Sequence, residues 1–416
     1  MSLTPLSSAP SPLTPVGGDG APSSPPVAAP PAGEPLSHGQ RALWYLHQLD
    51  PDTAAYGIAQ LIPLPATAPV DALQRALARL AERHPMLRST FAAGGGEPVR
   101  VVQPPGAVAF ERVDARGWTQ ERLEEEATAV FERPFDLVQG PLFRATLFTH
   151  DAGDHTLLLV LPHLLADAAA LSVMTEELVG LLIAEATGQP VSLPPPGSYA
   201  EHVRQERVRL AGPEGERLKA YWRRRLNGTL PALDLPGDRS ALPPGAPARG
   251  LHTFRFDPAL ARRVEALATQ QGATPFAVLL AAFSAVLGRL TGQAEVPVGT
   301  ASAGRGDPAL RRTVGYLANP VLLLTRVEGD PSFAELLRRA RTTVGEALDN
   351  EGLPFPVLVE SLRTDRDGAR PASFEVMFVL QRSGALGAFT GGGMGPVELG
   401  PEVWRRLEAL FPRVIH

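Results

Sequence analysis

Residues His155 to Leu182 read HTLLLVLPHLLADAAALSVMTEELVGLL, and this stretch decides the class of fold. His155 to Leu161 is apolar enough for a strand at the centre of a sheet. Asp167 stands where a helix N-cap belongs, and the residues after it continue as an amphipathic helix. A strand, a short turn and a helix in that order present a side chain at the strand's end to a cleft. The side chain in that position is His163.

Working outward, Leu142 to Phe148 (LFRATLF) reads as a neighbouring strand. Val70, Leu73, Leu77 and Leu80 share one helical face behind Pro69, a favourable first-turn residue. On the C-terminal side, Leu251 to Phe256 alternates as a strand, and Thr274-Pro275 opens a helix running through Leu290. EVPVGTASAGRG (Glu295 to Gly306) follows as strand and loop. Val314 to Val327 and Ser373 to Gln381 are further strand candidates, separated by a helix over Ser332 to Leu348. The simplest arrangement is α/β (α+β), with two lobes of similar size, each built on a central sheet.

Proline and glycine mark the divisions. Residues 1–35 hold ten of the 43 prolines and only two charged side chains, Asp19 and Glu34. Such a segment buries too little apolar surface to fold and is expected to be a disordered Pro/Ala/Ser-rich linker. LPALDLPGDRSALPPGAPARG, residues 230–250, reads as the linker between lobes. The expected organisation is therefore 1–35 linker, 36–229 N-terminal lobe, 230–250 inter-lobe linker and 251–416 C-terminal lobe.

Composition excludes several chemistries. The chain has 416 residues, no Cys and a formal net charge of -5. Thiolate nucleophiles, disulfides and Cys-ligated metal are ruled out. Lys219 is the only lysine, so no G-x-x-x-x-G-K phosphate loop exists. No Lys/Arg cluster supplies a nucleic-acid footprint. Met1 to Pro15 carries no basic residue, and the longest apolar stretch, Phe276 to Leu287, is shorter than the roughly 20 residues of a membrane span. A cytoplasmic location is the expectation.

His163 and Asp167 are the chemically suggestive pair. Neutral imidazole suits a base that receives a proton from an attacking amine or alcohol near pH 7. Taken alone, H-x-x-x-D is better accounted for by a core histidine beside a plain helix cap. TASAG (Thr300 to Gly304) misses G-x-S-x-G, with Thr in the first glycine's place, and reads as a loop. No Cys, His or Asp cluster joins His163 and Asp167 to form a metal site.

The blocks LSHGQRALWYLHQL (36–49), RHPMLRSTF (83–91), FERPFDLVQGPLFRATLF (131–148), LPHLLADA (161–168), SYAEHVRQE (198–206), VGYLANPVLL (314–323), LPFPVLVESL (353–362) and RPASFEVMFVLQ (370–381) occur in this order. In this the chain resembles the condensation domains of non-ribosomal peptide synthetases. The resemblance implies two chloramphenicol-acetyltransferase-like lobes forming a V-shaped pseudo-dimer, with the site at their interface. Donor and acceptor carrier proteins would reach it from opposite faces, delivering thioesters on phosphopantetheine. The acceptor amine would attack the donor carbonyl, with no cofactor bound by this chain and no acyl-enzyme.

His163 falls on the second His of the family motif H-H-x-x-x-D-G, implying the base or nucleophile-positioning role, and Asp167 falls on its structural Asp. Arg305 sits where the family has an Arg expected to reach Asp167. Asn319 is implied to lie near the substrate tunnel. Pro162 replaces the first His and Ala168 the Gly. The resemblance implies that Pro162 strips a donor from the strand end and that Ala168 crowds the tunnel, which puts competence in question. Family strands expected at the C-terminus are not recognisable, so the second lobe is expected to be incomplete, ending in a short helix with Val403, Leu407 and Leu410 on one face. Carriers are expected in trans, with residues 1–35 a possible link to an upstream module. Other readings are a degenerate docking or scaffold module and a stand-alone ester-forming acyltransferase.

Overall fold

The computed structural model describes residues 33–94, 97–228, 231–235, 254–362, 374–380 and 414–415. Its elements are β1 (Glu34–Pro35), α1 (His38–Leu49), β2 (Gly57–Leu64), α2 (Val70–Arg83), β3 (Ser89–Gly94), β4 (Glu97–Val102), β5 (Ala109–Asp114), α3 (Gln120–Glu132), β6 (Arg144–Thr149), β7 (His155–Pro162), α4 (Ala168–Thr187), α5 (Tyr199–Ala211), α6 (Pro213–Arg225), α7 (Pro258–Gln270), α8 (Pro275–Thr291), β8 (Glu295–Ser302), β9 (Asn319–Arg326), α9 (Phe333–Asp349), α10 (Phe355–Leu362), β10 (Met377–Phe378) and β11 (Val414–Ile415).

β7 is buried along its whole length and lies inside the sheet β2-β7-β6-β5. Its four leucines, 157, 158, 159 and 161, have no exposed surface. Each stabilises the fold by about 1.5–3 kcal/mol relative to leaving it in water. β2 and β6 flank β7 antiparallel, in a register running from Gly57↔Pro162 to Leu64↔His155 on the β2 side. Leu73, Leu77 and Leu80 of α2 are buried at helical spacing and join the same core as α4.

The second sheet has the order β11-β10-β8-β9. α8 begins where Thr274 accepts a hydrogen bond from the Ala277 N–H at 3.2 Å. It ends at Gly292, whose φ of 69° is the left-handed turn that favours glycine. β8 and β9 pair antiparallel, while β10 lies parallel to β8. The strand expected over Val314 to Val327 spans only Asn319–Arg326, and the N–H groups of Leu317 and Ala318 just before it go to Asp167 instead of a ladder. Of the strand expected over Ser373 to Gln381, the described residues 374–380 hold only Met377–Phe378 in a strand. Of the strand expected over Leu251 to Phe256, residues 251–253 lie outside the described residues; 254–256 are not in a strand, and Phe254 and Phe256 are both exposed. The helix expected around Val403 to Leu410 lies outside the described residues, as does most of 230–250.

Glu34 and Pro35, at the expected end of the linker, instead pair antiparallel with Arg100 and Val99 of β4. The nearly buried Arg100 guanidinium takes the Glu34 carboxylate as its partner, which gives this short segment a reason to stay on the sheet. Among the described residues no single helix is long and apolar enough to cross a membrane. α7 and α8, apolar enough together, are bent by 105°.

The two halves exchange side chains. Val314 and Leu317, from the loop between β8 and β9, enter the first core. Leu210, Leu218 and Trp222 of α5 and α6 enter the second, although they precede residue 230. The exchange holds the 314–318 loop against α4 and α5. Gly315 lies there with no room for a side chain, because an added Cβ would collide with the Tyr199 ring. Gly315→Ala is expected to cost about 1–3 kcal/mol through overpacking. Urea denaturation would measure this, and an unchanged midpoint would show that the loop yields freely.

Candidate active site

His163 leaves the sheet at the end of β7. Its backbone N–H donates to the Tyr56 carbonyl at 2.7 Å, and the Pro162 carbonyl accepts from the Leu165 N–H at 2.9 Å to close the turn. Since the bond beyond them runs from His163 to Tyr56, Gly57 and Pro162 oppose each other as a pair that exchanges no hydrogen bonds. On the other flank, pairing with β6 stops at Val160. The N–H that Pro162 lacks is therefore one that neither ladder uses.

His163 Nδ1 lies 3.1 Å from the Ala166 carbonyl oxygen. A carbonyl only accepts, so Nδ1 carries the hydrogen and the lone pair of the neutral ring sits on Nε2. Desolvation lowers the pKa of this half-buried ring below the usual imidazole value, against a smaller opposing pull from the Ala166 carbonyl and Asp167. The ring is neutral at neutral pH. Tyr316 meets it edge-on, with ring centroids 5.8 Å apart and planes at 74°. Burial, then the negative Asp167, pushes the Tyr316 phenol up to about 12.

Asp167 caps α4, its Oδ1 accepting from the Ala170 N–H at 2.8 Å. Its Oδ2 accepts from Arg305 Nη1 at 2.8 Å and from the Leu317 and Ala318 N–H groups at 2.9 and 3.0 Å. Arg305 comes from the loop after β8 and also donates to the carbonyls of Ala303 and Thr313. The ion pair is nearly dry, with side chains 8% and 4% exposed. A second buried carboxylate, Glu177, joins α4 to α2 and to the same loop through Arg83 (2.8 Å), His84 (2.7 Å) and Arg312 (3.2 Å). Burial alone would raise its pKa, but the hydrogen bonds from His84 and Arg83 draw it down to about 2.

The remaining predicted residues fall on either side of this centre. Ala168 is the exposed first residue of α4, on ordinary helical backbone that has no need of glycine. The Asn319 side-chain amide is tied into the fold. Its Nδ2 donates to the carbonyls of Glu351 and Leu353 at 2.8 and 2.9 Å, and its Oδ1 accepts from the Phe355 N–H at 2.9 Å. His163, Asp167 and Arg305 are thus brought together, while Asn319 clamps β9 to the start of α10. Sequence reasoning passes over Ser37, Tyr199 and Tyr316. The Tyr199 hydroxyl donates to the Tyr316 carbonyl at 2.8 Å and lies 2.9 Å from Ser37 Oγ. Each of the three lies within a quoted block, but none carries a chemical signature at fixed spacing.

The family profile described as Condensation domain matches residues 33–388. A chondramide synthase of Chondromyces crocatus, cmdD, is 35% identical over 353 residues, covering 83% of this chain and 9% of that much longer polypeptide. The condensation domain of the monacolin K polyketide synthase MokA superimposes with a TM-score of 0.74 at 22% identity, covering 84% of this chain and 82% of that one. The SgcC5 protein of Streptomyces globisporus, in complex with a naphthyl ethanediol and sucrose, is 31% identical with a TM-score of 0.65, covering 79% and 76%.

Asp167→Asn keeps a capping oxygen but sets an amide against three donors, and is expected to destabilise by about 2–4 kcal/mol. Combined with Arg305→Ala in a double-mutant cycle, it should show a coupling of about 1–3 kcal/mol; full additivity would mean that the pair contributes nothing. A pH series tests the histidines. His38 and His202 are each lowered to about 4, chiefly by burial and then by nearby arginines. Below about pH 6.5 the unfolded chain binds protons that these folded sites refuse, so stability present above that pH should fall as pH drops toward 4. Urea midpoints at pH 7, 5.5 and 4.5 would reveal it, and a flat series would contradict the assignment.

Proposed function

The chain belongs to the condensation-domain family, and from that premise we propose that it is an acyltransferase joining a carrier-bound donor thioester to the amine of a carrier-bound acceptor. The observation that carries this reading is the His163 ring, desolvated and neutral, with Nδ1 held on the Ala166 carbonyl so that Nε2 bears the lone pair. In the proposed step the acceptor nitrogen attacks the thioester carbonyl carbon. Its proton passes to His163 Nε2, the carbon–sulfur bond breaks, and the proton returns to the departing pantetheine sulfur. The products are an amide and a free thiol, with no net change in the enzyme. Asp167 and Arg305 hold the turn and the opposing loop and carry no proton. Pro162 costs the ladder nothing and Ala168 needs no special backbone, which supports a competent domain.

Phosphopantetheine arrives as part of each substrate on the carrier proteins, which act in trans, with residues 1–35 linking to an upstream module. The setting is cytoplasmic biosynthesis of a peptide or a hybrid peptide–polyketide, in keeping with the named relatives. The division into lobes at 230–250 belongs to the same reading. A hydroxyl acceptor giving an ester is the second reading, favoured by the diol bound to the Streptomyces globisporus protein.

Intact-mass analysis of an acceptor carrier, incubated with a loaded donor carrier and the protein, tests the proposal. His163→Ala should lower the rate by about 100-fold or more. Because the folded pKa of His163 lies below 6.5, the rate should rise with pH and reach its plateau by about pH 7. An unchanged rate in a folded His163→Ala variant sinks the proton-transfer role. Carriers that bind at micromolar Kd, about -8 kcal/mol, without any product would replace the enzyme with a docking module.

A further inference from the structure

We propose that Tyr316 is a positioning residue for His163, a side chain from the second half of the molecule that sets the plane of the imidazole in the first. The proposal rests on His163 being the proton-handling group of the acyl transfer. Four contacts hold the backbone at and beside Tyr316. Its carbonyl accepts from the Tyr199 hydroxyl at 2.8 Å. The N–H groups of the next two residues, Leu317 and Ala318, are held by Asp167 at 2.9 and 3.0 Å. On its other side Gly315 lies against the Tyr199 ring, too close for a Cβ.

The ring itself is seated with equal definition. Gly39, in the first turn of α1, lies so close that an added Cβ would be 2.7 Å from Tyr316 Cε1. The same ring meets His163 at 5.8 Å and 74°, the edge-to-face arrangement that aromatic pairs favour. The hydrogen bond to Ala166 holds one imidazole nitrogen, while the Tyr316 ring packs against the imidazole at a near-perpendicular angle. Together they aim Nε2 along one direction. Small losses of aim at a proton-transferring group are costly in rate even when binding is intact.

The chain of contacts also explains why this position matters although it contributes no charge. Asp167, four residues beyond His163, holds the backbone that carries Tyr316, and Tyr316 returns to the His163 ring. The loop Pro162–Asp167 and the loop Val314–Ala318 thus fix each other, and the imidazole is aimed only when the two halves are docked.

The test uses the full chain with Tyr316→Phe, Tyr316→Leu and Tyr316→Met, each assayed for kcat and for KM of both loaded carriers. The His163 imidazole is followed by NMR titration with ring-labelled histidine, its signals assigned by their absence in His163→Gln. Tyr316→Phe keeps the ring and is expected to leave kcat within about 2-fold and the His163 titration in place. Tyr316→Leu is expected to lower kcat by about 10-fold with KM unchanged, as misaimed chemistry should. Its His163 titration should move up toward 6.5 as water gains access. Tyr316→Met, which fills the space without an aromatic face, should follow Leu and decides the matter if the Leu variant fails to fold. The proposal is overturned if folded Leu and Met variants leave both kcat and the titration unmoved, or if Phe is as damaging as Leu. Should the native chain make no amide, the functional reading fails, and the NMR titrations still decide whether Tyr316 orients His163.

Discussion

One carboxylate oxygen accepts three hydrogen bonds from the far half of the molecule. Asp167 Oδ2 binds Arg305 and the N–H groups of Leu317 and Ala318, while Oδ1 caps the helix that follows His163. Burying a carboxylate costs several kcal/mol unless it is paired and its lone pairs are used. Here the charge is paired and both oxygens are used. That condition is met only when the β8–β9 loop lies against the start of α4, so the docking of the two halves and the shape of the His163 turn are a single requirement. Glu177 repeats the device further along α4, drawing Arg312 of the same loop toward Arg83 and His84.

The site follows from that constraint. His163 is placed by a sheet whose central strand is entirely buried, so the strand end has little freedom to drift. Its tautomer follows from a backbone carbonyl three residues on, and its neutrality from burial. Tyr199 ties three segments distant in sequence, through Ser37 Oγ on one side and the Tyr316 carbonyl on the other. The small residues Gly39 and Gly315 are where they are because aromatic rings occupy the space a side chain would need.

Two departures from the family motif change meaning once they are placed. Proline at the end of a central strand ordinarily loses a ladder bond, but Pro162 opposes Gly57 where no bond is exchanged, and β6 has already ended. A glycine opening a helix suggests positive φ or close backbone approach, yet Ala168 is exposed and helical. Asn319 moves the other way. Its block implies a tunnel residue, and the fold holds it on three backbone partners around Glu351 to Phe355.

Local pattern by itself determined a good deal. The buried run of β7, the Asp167 cap, the Leu73–Leu77–Leu80 face and the Thr274-Pro275 helix start are short-range signals, readable because strand burial and helix periodicity act over a few residues. The ordered blocks made the family and its motif register legible, and with them His163 and Asp167. Only the tertiary structure decided that Glu34–Pro35 joins a sheet, that α6 packs with the second core while Val314 and Leu317 pack with the first, and that Tyr316 meets His163. Each of those depends on partners remote in sequence. A neutral ring, a backbone carbonyl or a glycine has no local signature that announces what it will touch, whereas a buried charge demands a partner, and the fold is what supplies it.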